Sequence, residues 1–173
     1  MKKFFALILI AILAMSTVAA FAATYNYDND LIFNYDENNF EISMDDHTDD
    51  EDLIILTAKD ASWGEETYIR IHLRDLDDGE QFPTMDEFTA MPGASEVTQG
   101  EWNGYSNVFM YTVENEDGSQ DNFFIAPVMD DDGDEVEDIL TVEICVSKIE
   151  DEDIAMGRDD QISAVVDSLK IDD

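Results

Sequence analysis

The chain has 173 residues, of which 43 are Asp or Glu and only 8 are Lys or Arg, a formal net charge of −35 at pH 7. Such a field repels nucleic-acid phosphates and anionic lipid headgroups; it excludes nucleic-acid binding and attachment to a membrane surface, and it favours cationic partners or divalent ions. Apolar residues at 45% and aromatics at 10%, gathered in periodic segments, exclude disorder and are enough for one hydrophobic core.

Taken in order, Lys2-Lys3, the apolar run 4–14 and the small residues around Ala20-Phe21-Ala22 have the layout of a secretory signal peptide. The run is shorter than a membrane span of about 20 residues, so residues 1–22 are expected to be removed. Residues 23–173 are then a single domain, secreted or extracytoplasmic and without membrane attachment. With no cysteine near the cleavage region, a lipid anchor there is excluded. The single cysteine, Cys145, forms no intramolecular disulfide and reads as a packed small hydrophobe rather than a reactive thiol.

Leu31-Ile32-Phe33 predicts a short strand. Phe40, Ile42 and Met44 alternate with Glu41 and Ser43, a strand with one buried face. Residues 45–52 contain no apolar side chain and predict a solvated loop. The nearly continuous apolar run 53–58 predicts a central strand covered on both faces. Residues 59–67 form a loop containing Trp63-Gly64. In the strand 68–73, Ile69, Ile71 and Leu73 share one face, opposite Tyr68, Arg70 and His72. Neither His72 nor His47 has a neighbour in sequence that makes it a catalytic base.

Thr84 and Glu87 make a capping box that opens a short helix, closed by Pro92-Gly93. Residues 96–148 then predict a four-stranded antiparallel meander with turns at Asn103-Gly104, Asp117-Gly118 and Asp132-Gly133, because both residue pairs tolerate the positive φ of tight hairpin turns. Pro127 in its third strand cannot donate to a ladder and belongs at an outward-facing edge or a bulge. In the fourth strand Leu140, Val142, Ile144 and Val146 face the core, and Thr141, Glu143, Cys145 and Ser147 face away. This second face is the place to look for function. A last helix is expected from Asp159, with Ile162, Val165, Val166 and Leu169 as its apolar stripe.

No catalytic motif is present: there is no Gly-x-Ser-x-Gly, no His-Glu-x-x-His and no phosphate-cradling glycine loop. The acidic turn 130–135 invites a calcium reading. Aligning Gly133 with the glycine of an EF-hand loop puts Asp130, Asp132 and Asp134 at ligand positions, but Val128 falls at the first and Ile139 at the last. No catalytic, cofactor-binding or metal residue is assigned, and no cofactor is implied.

The order of parts resembles one family. The aromatic-rich start, the strand 40–44, the segment 53–73, the helix 83–91, the pattern 97–113 around Trp102-Asn103-Gly104-Tyr105 and the ending Asp167-Ser168-Leu169-Lys170-Ile171 resemble the PsbP-like family, which includes photosystem extrinsic proteins, a Ran-binding import factor and exported bacterial lipoproteins. The chain departs from it where Asp45-Asp46-His47-Thr48 replaces a Pro-x-x-Trp, and in lacking the lipobox cysteine. The resemblance implies an α+β fold, a central antiparallel sheet flanked by helices as a PsbP-like α/β/α sandwich, used for binding or assembly. The expectation is therefore a non-enzymatic binding or accessory domain for an extracellular protein or other cationic partner. The alternatives are a calcium-responsive or ion-buffering surface protein and an undetected hydrolase.

Overall fold

The computed structural model describes residues 23–28, 31–64, 66–77, 79–130, 133 and 135–171. The expected signal peptide, and Asp131, Asp132 and Asp134 of the acidic turn, lie outside them.

Ten strands and two helices are formed among these residues. In chain order they are β1 (Ala23–Tyr27), β2 (Leu31–Tyr35), β3 (Phe40–His47), β4 (Glu51–Ala58), a 3-10 turn at Ala61–Trp63, β5 (Tyr68–Asp75), α1 (Met85–Thr89), β6 (Ala94–Trp102), β7 (Tyr105–Glu114), β8 (Gln120–Met129), β9 (Val136–Val146), α2 (Glu152–Asp167) and β10 (Lys170–Ile171). A seven-stranded antiparallel sheet has the order β3-β4-β5-β9-β8-β7-β6, and a three-stranded sheet the order β1-β2-β10. Neither the expected α+β class nor the α/β/α sandwich is formed: the described residues are mostly β, in two antiparallel sheets with one long helix. One face of the large sheet is covered by the small sheet together with α2, and the other only in part, by the five-residue α1.

The main core lies in the first of these interfaces. Ile54, Leu56, Ile69, Ile71, Leu140 and Val142 of the large sheet meet Leu31 and Phe33 of β2 and Ile162, Val165 and Val166 of α2. Burial of such side chains contributes about 1.5–3 kcal/mol each. A second cluster under α1 joins Phe88 to Phe109, Ile125 and Ile139 on the opposite face. Glu87 reaches back to the Thr84 amide at 2.7 Å and hydroxyl at 2.8 Å, so the box read from the sequence does fix the start of α1.

The meander is present as β6 to β9, and its Asn103-Gly104 turn has φ of 50° and 91°, the paired positive values of a tight hairpin. Pro127 is buried rather than outward-facing. Its missing donor is harmless because pairing with β7 ends at Phe109 with Ile125, leaving β8 only β9 as a neighbour at Pro127.

Four further expectations are corrected. The run 45–52 is a hairpin of β3 and β4 rather than a loop, turned within three residues because the Thr48 hydroxyl accepts from the amides of Asp50 and Glu51. The strand before the turn carries a bulge between Ile42 and Met44. That single extra residue reverses the alternation and turns Asp45 and His47 toward β1. β4 is covered on one face only: Ile54 and Leu56 are buried, whereas Leu53 and Ile55 remain half-exposed. Finally, α2 begins at Glu152, seven residues early, because Asp151 caps it by accepting from the Asp153 and Ile154 amides. Gly157 lies inside the helix, not before it.

Candidate functional site

The incomplete cover over the second face leaves a concavity of about 750 Å³ between the β4–β5 end of the large sheet and the turn joining β7 to β8. The alternation of strands decides what lines it. Leu53 and Ile55 of β4, with Met44 of β3, make an apolar wall. Tyr68 and Arg70 of β5, Cys145 of β9 and Asp121 of β8 form the floor, because the register sets Tyr68 beside Cys145 and Cys145 beside Asp121. Glu66 and Asp117 close the other side.

The floor is polar and largely satisfied. The Glu143 carboxylate, mostly buried beside the concavity, accepts from the Tyr68 hydroxyl at 2.6 Å and from Arg70 Nη1 at 3.1 Å. Burial, reinforced by Glu143, pushes the Tyr68 phenol far above its ordinary value, so it remains a donor. Burial, and then a hydrogen bond to the Asp121 carboxylate and its charge, push the Cys145 thiol up to about 12. A thiol that stays protonated is a poor nucleophile. Asp117 is held low by the hydroxyl and amide of Ser119.

One atom is left over. Asp121 Oδ2 accepts from Asn115 Nδ2 at 2.9 Å, but Asp121 Oδ1 is buried with no hydrogen-bond partner, the only such side-chain atom among the described residues. A buried acceptor without a donor costs about 1–3 kcal/mol.

The face predicted from Glu143 and Cys145 is thus the face that carries the concavity, although Thr141 does not line it. Sequence reasoning missed Asp121, Asp117, Glu66 and the apolar wall. Alternation within the strand 120–129 places Asp121 opposite the core residues, a signal obscured by the number of acidic residues elsewhere. Neither histidine lines the concavity. His72 pairs with Glu51 at 3.0 Å, and His47 is clamped at the far end of the main core, with Nδ1 2.6 Å from Asp52 and Nε2 2.7 Å from Asp45. Among the described residues no group of three or more His, Cys, Asp or Glu could hold a metal ion. The calcium reading rests on the acidic turn, most of which lies outside them.

Comparisons with protein-family models, curated proteins and solved structures found no match for this chain.

Proposed function

We propose that the chain is an exported, non-enzymatic binding module that takes a cationic group of an extracellular partner in the concavity on the open sheet face. The observation that carries this reading is the hollow itself, with an acidic side of Glu66, Asp117 and Asp121 facing an apolar wall. An ammonium or guanidinium group would lie against the carboxylates of that acidic side, while its alkyl stem packs on Met44, Leu53 and Ile55. The net charge of −35 draws cations toward the surface and makes their association fastest at low salt.

The test is a calorimetric titration with a lysine-rich peptide and with a glutamate-rich one at fixed ionic strength. The lysine-rich peptide should bind, and Asp121→Asn should weaken it by about tenfold, the loss of one charge-assisted hydrogen bond. Equal binding by the variant would remove the concavity from the reading. Binding of the glutamate-rich peptide instead would reverse its sign.

A further inference from the structure

On the other side of the β7–β8 turn lies a second hollow of about 430 Å³, lined by Glu114, Asn115, Gln120, Lys148 and Arg158 among others. Its chemistry is opposite to that of the first. Arg158 on α2 is a buried arginine, only 5% exposed. Its Nε donates to Asp159 at 2.9 Å and its Nη1 to the Ser147 carbonyl at 2.6 Å. These bonds fix the guanidinium plane but leave Nη2 without an acceptor among the described residues. Nη2 is not an enclosed orphan either, since the one enclosed unpartnered atom is Asp121 Oδ1. Arg158 is nonetheless among the residues that line the hollow.

Lys148 is the second cation here. Arg70 is paired to Glu143, Arg74 to Glu80 and Arg158 to Asp159, and Lys59 donates to the Glu37 carbonyl. Neither the Lys148 nor the Lys170 ammonium has such a partner among the described residues, and both are exposed. The Gln120 carboxamide, on the same hollow, also has none. Arg158, Lys148 and Gln120 thus border one space, and of the three only Arg158 is held rigid by burial. Among the described residues the only carboxylate that lines the hollow is Glu114.

We infer that this hollow binds a small oxyanion, a carboxylate or phosphate group, with Arg158 Nη2 and Lys148 Nζ as its charged donors and Gln120 as a neutral one. A fixed guanidinium edge suits the spaced oxygens of an oxyanion better than a spherical ion, and a lysine adds charge without demanding geometry. At physiological ionic strength the Debye length is about 8 Å, so the distant carboxylates are screened, and the near ones are Asp159, held by Arg158 Nε, and Glu114. This reading is independent of the cation site on the sheet face, and either can fail without the other.

The test is an amide chemical-shift titration of the full chain with inorganic phosphate, with sodium acetate and with sodium chloride at matched ionic strength. Phosphate and acetate should give saturable shifts confined to residues around 115–120, 147–149 and 158, and chloride should not. Lys148 and Glu114 are exposed, so Lys148→Gln and Glu114→Gln should fold normally. The first should weaken phosphate binding about fivefold and the second strengthen it about threefold, the size of single exposed charge contacts. Shifts that never saturate, that chloride reproduces, or that neither variant alters would overturn the inference.

Discussion

Above neutral pH the first strand of the protein should loosen from the large sheet. His47 sits between two carboxylates, with both ring nitrogens within 2.7 Å of an oxygen. Only the imidazolium can donate from both nitrogens at once. Its ring stacks on Tyr27 at 3.5 Å with an interplanar angle of 2°, and Tyr25 donates to the same Asp45 oxygen at 2.6 Å. The groups facing His47 are therefore Asp45 on β3, Asp52 on β4, and Tyr25 and Tyr27 on β1. Burial works against the imidazolium, but the hydrogen bonds to Asp52 and Asp45 outweigh it and hold His47 above its ordinary value. A histidine raised in this way contributes stability that is fully present below its unfolded value of about 6.5 and is lost as pH climbs through the higher folded value.

Urea unfolding measured from pH 6 to pH 9 should show stability falling with pH. His47→Gln should remove most of that slope and cost about 2 kcal/mol at pH 6, the scale of losing hydrogen bonds to charged groups. His72→Gln, on the exposed opposite face, is the control. A slope that survives in His47→Gln, or that disappears in His72→Gln, would refute the clamp. Amide protection of β1, corrected for the base-catalysed rise of intrinsic exchange with pH, should fall over the same range.

Gly64→Ala should destabilise the chain by about 3 kcal/mol or more, the combined scale of a glycine-only backbone and an overpacked contact. Gly64 follows the 3-10 turn at φ 91° and ψ 149°. A Cβ there would stand 2.2 Å from the Ser147 Cβ, so both the backbone conformation and the space forbid it. Gly104→Ala has nearly the same φ but nothing within 4 Å of the added carbon, and should cost only about 1 kcal/mol. Ser147→Gly removes the blocking atom, so Gly64→Ala combined with Ser147→Gly should lose less than the two single losses added together. Strict additivity in thermal or urea unfolding would show that the close approach carries no energy. Because Gly64 leads into Glu66 and Thr67, which line the concavity, Gly64→Ala should also weaken binding there.

Several elements were legible because their causes are local. Thr84 and Glu87 announce α1, Asn103-Gly104 announces a hairpin, and the alternation of Leu140, Val142 and Ile144 with Glu143 and Cys145 assigns the two faces of β9. What stayed hidden depends on partners far along the chain. β1 has no aliphatic residue after Ala23, and its Tyr25 is placed by stacking on Phe33 at 4.7 Å. The bulge after Ile42 leaves no compositional mark, yet it turns an acidic segment into a strand that faces the small sheet. Gly157 reads as a helix breaker, but the Asp151 cap and the buried Arg158 carry α2 through it. The continuous apolar run of β4 suggests cover on both sides. Only the shortness of α1 shows that its second face is the wall of an open hollow.

The order of the large sheet also bears on how the chain assembles. β3-β4-β5 and β6-β7-β8-β9 are each sequential, every strand pairing with the next through a connection of no more than nine residues. They meet at one seam, the ladder from Tyr68 with Cys145 to Asp75 with Asp138. Loop closure is inexpensive within each meander and most demanding at that seam, where paired residues are separated by more than sixty positions. The β5–β9 ladder is thus the costliest closure within the large sheet, and Tyr68 and Arg70 meet Glu143 only when the two halves of the sheet join.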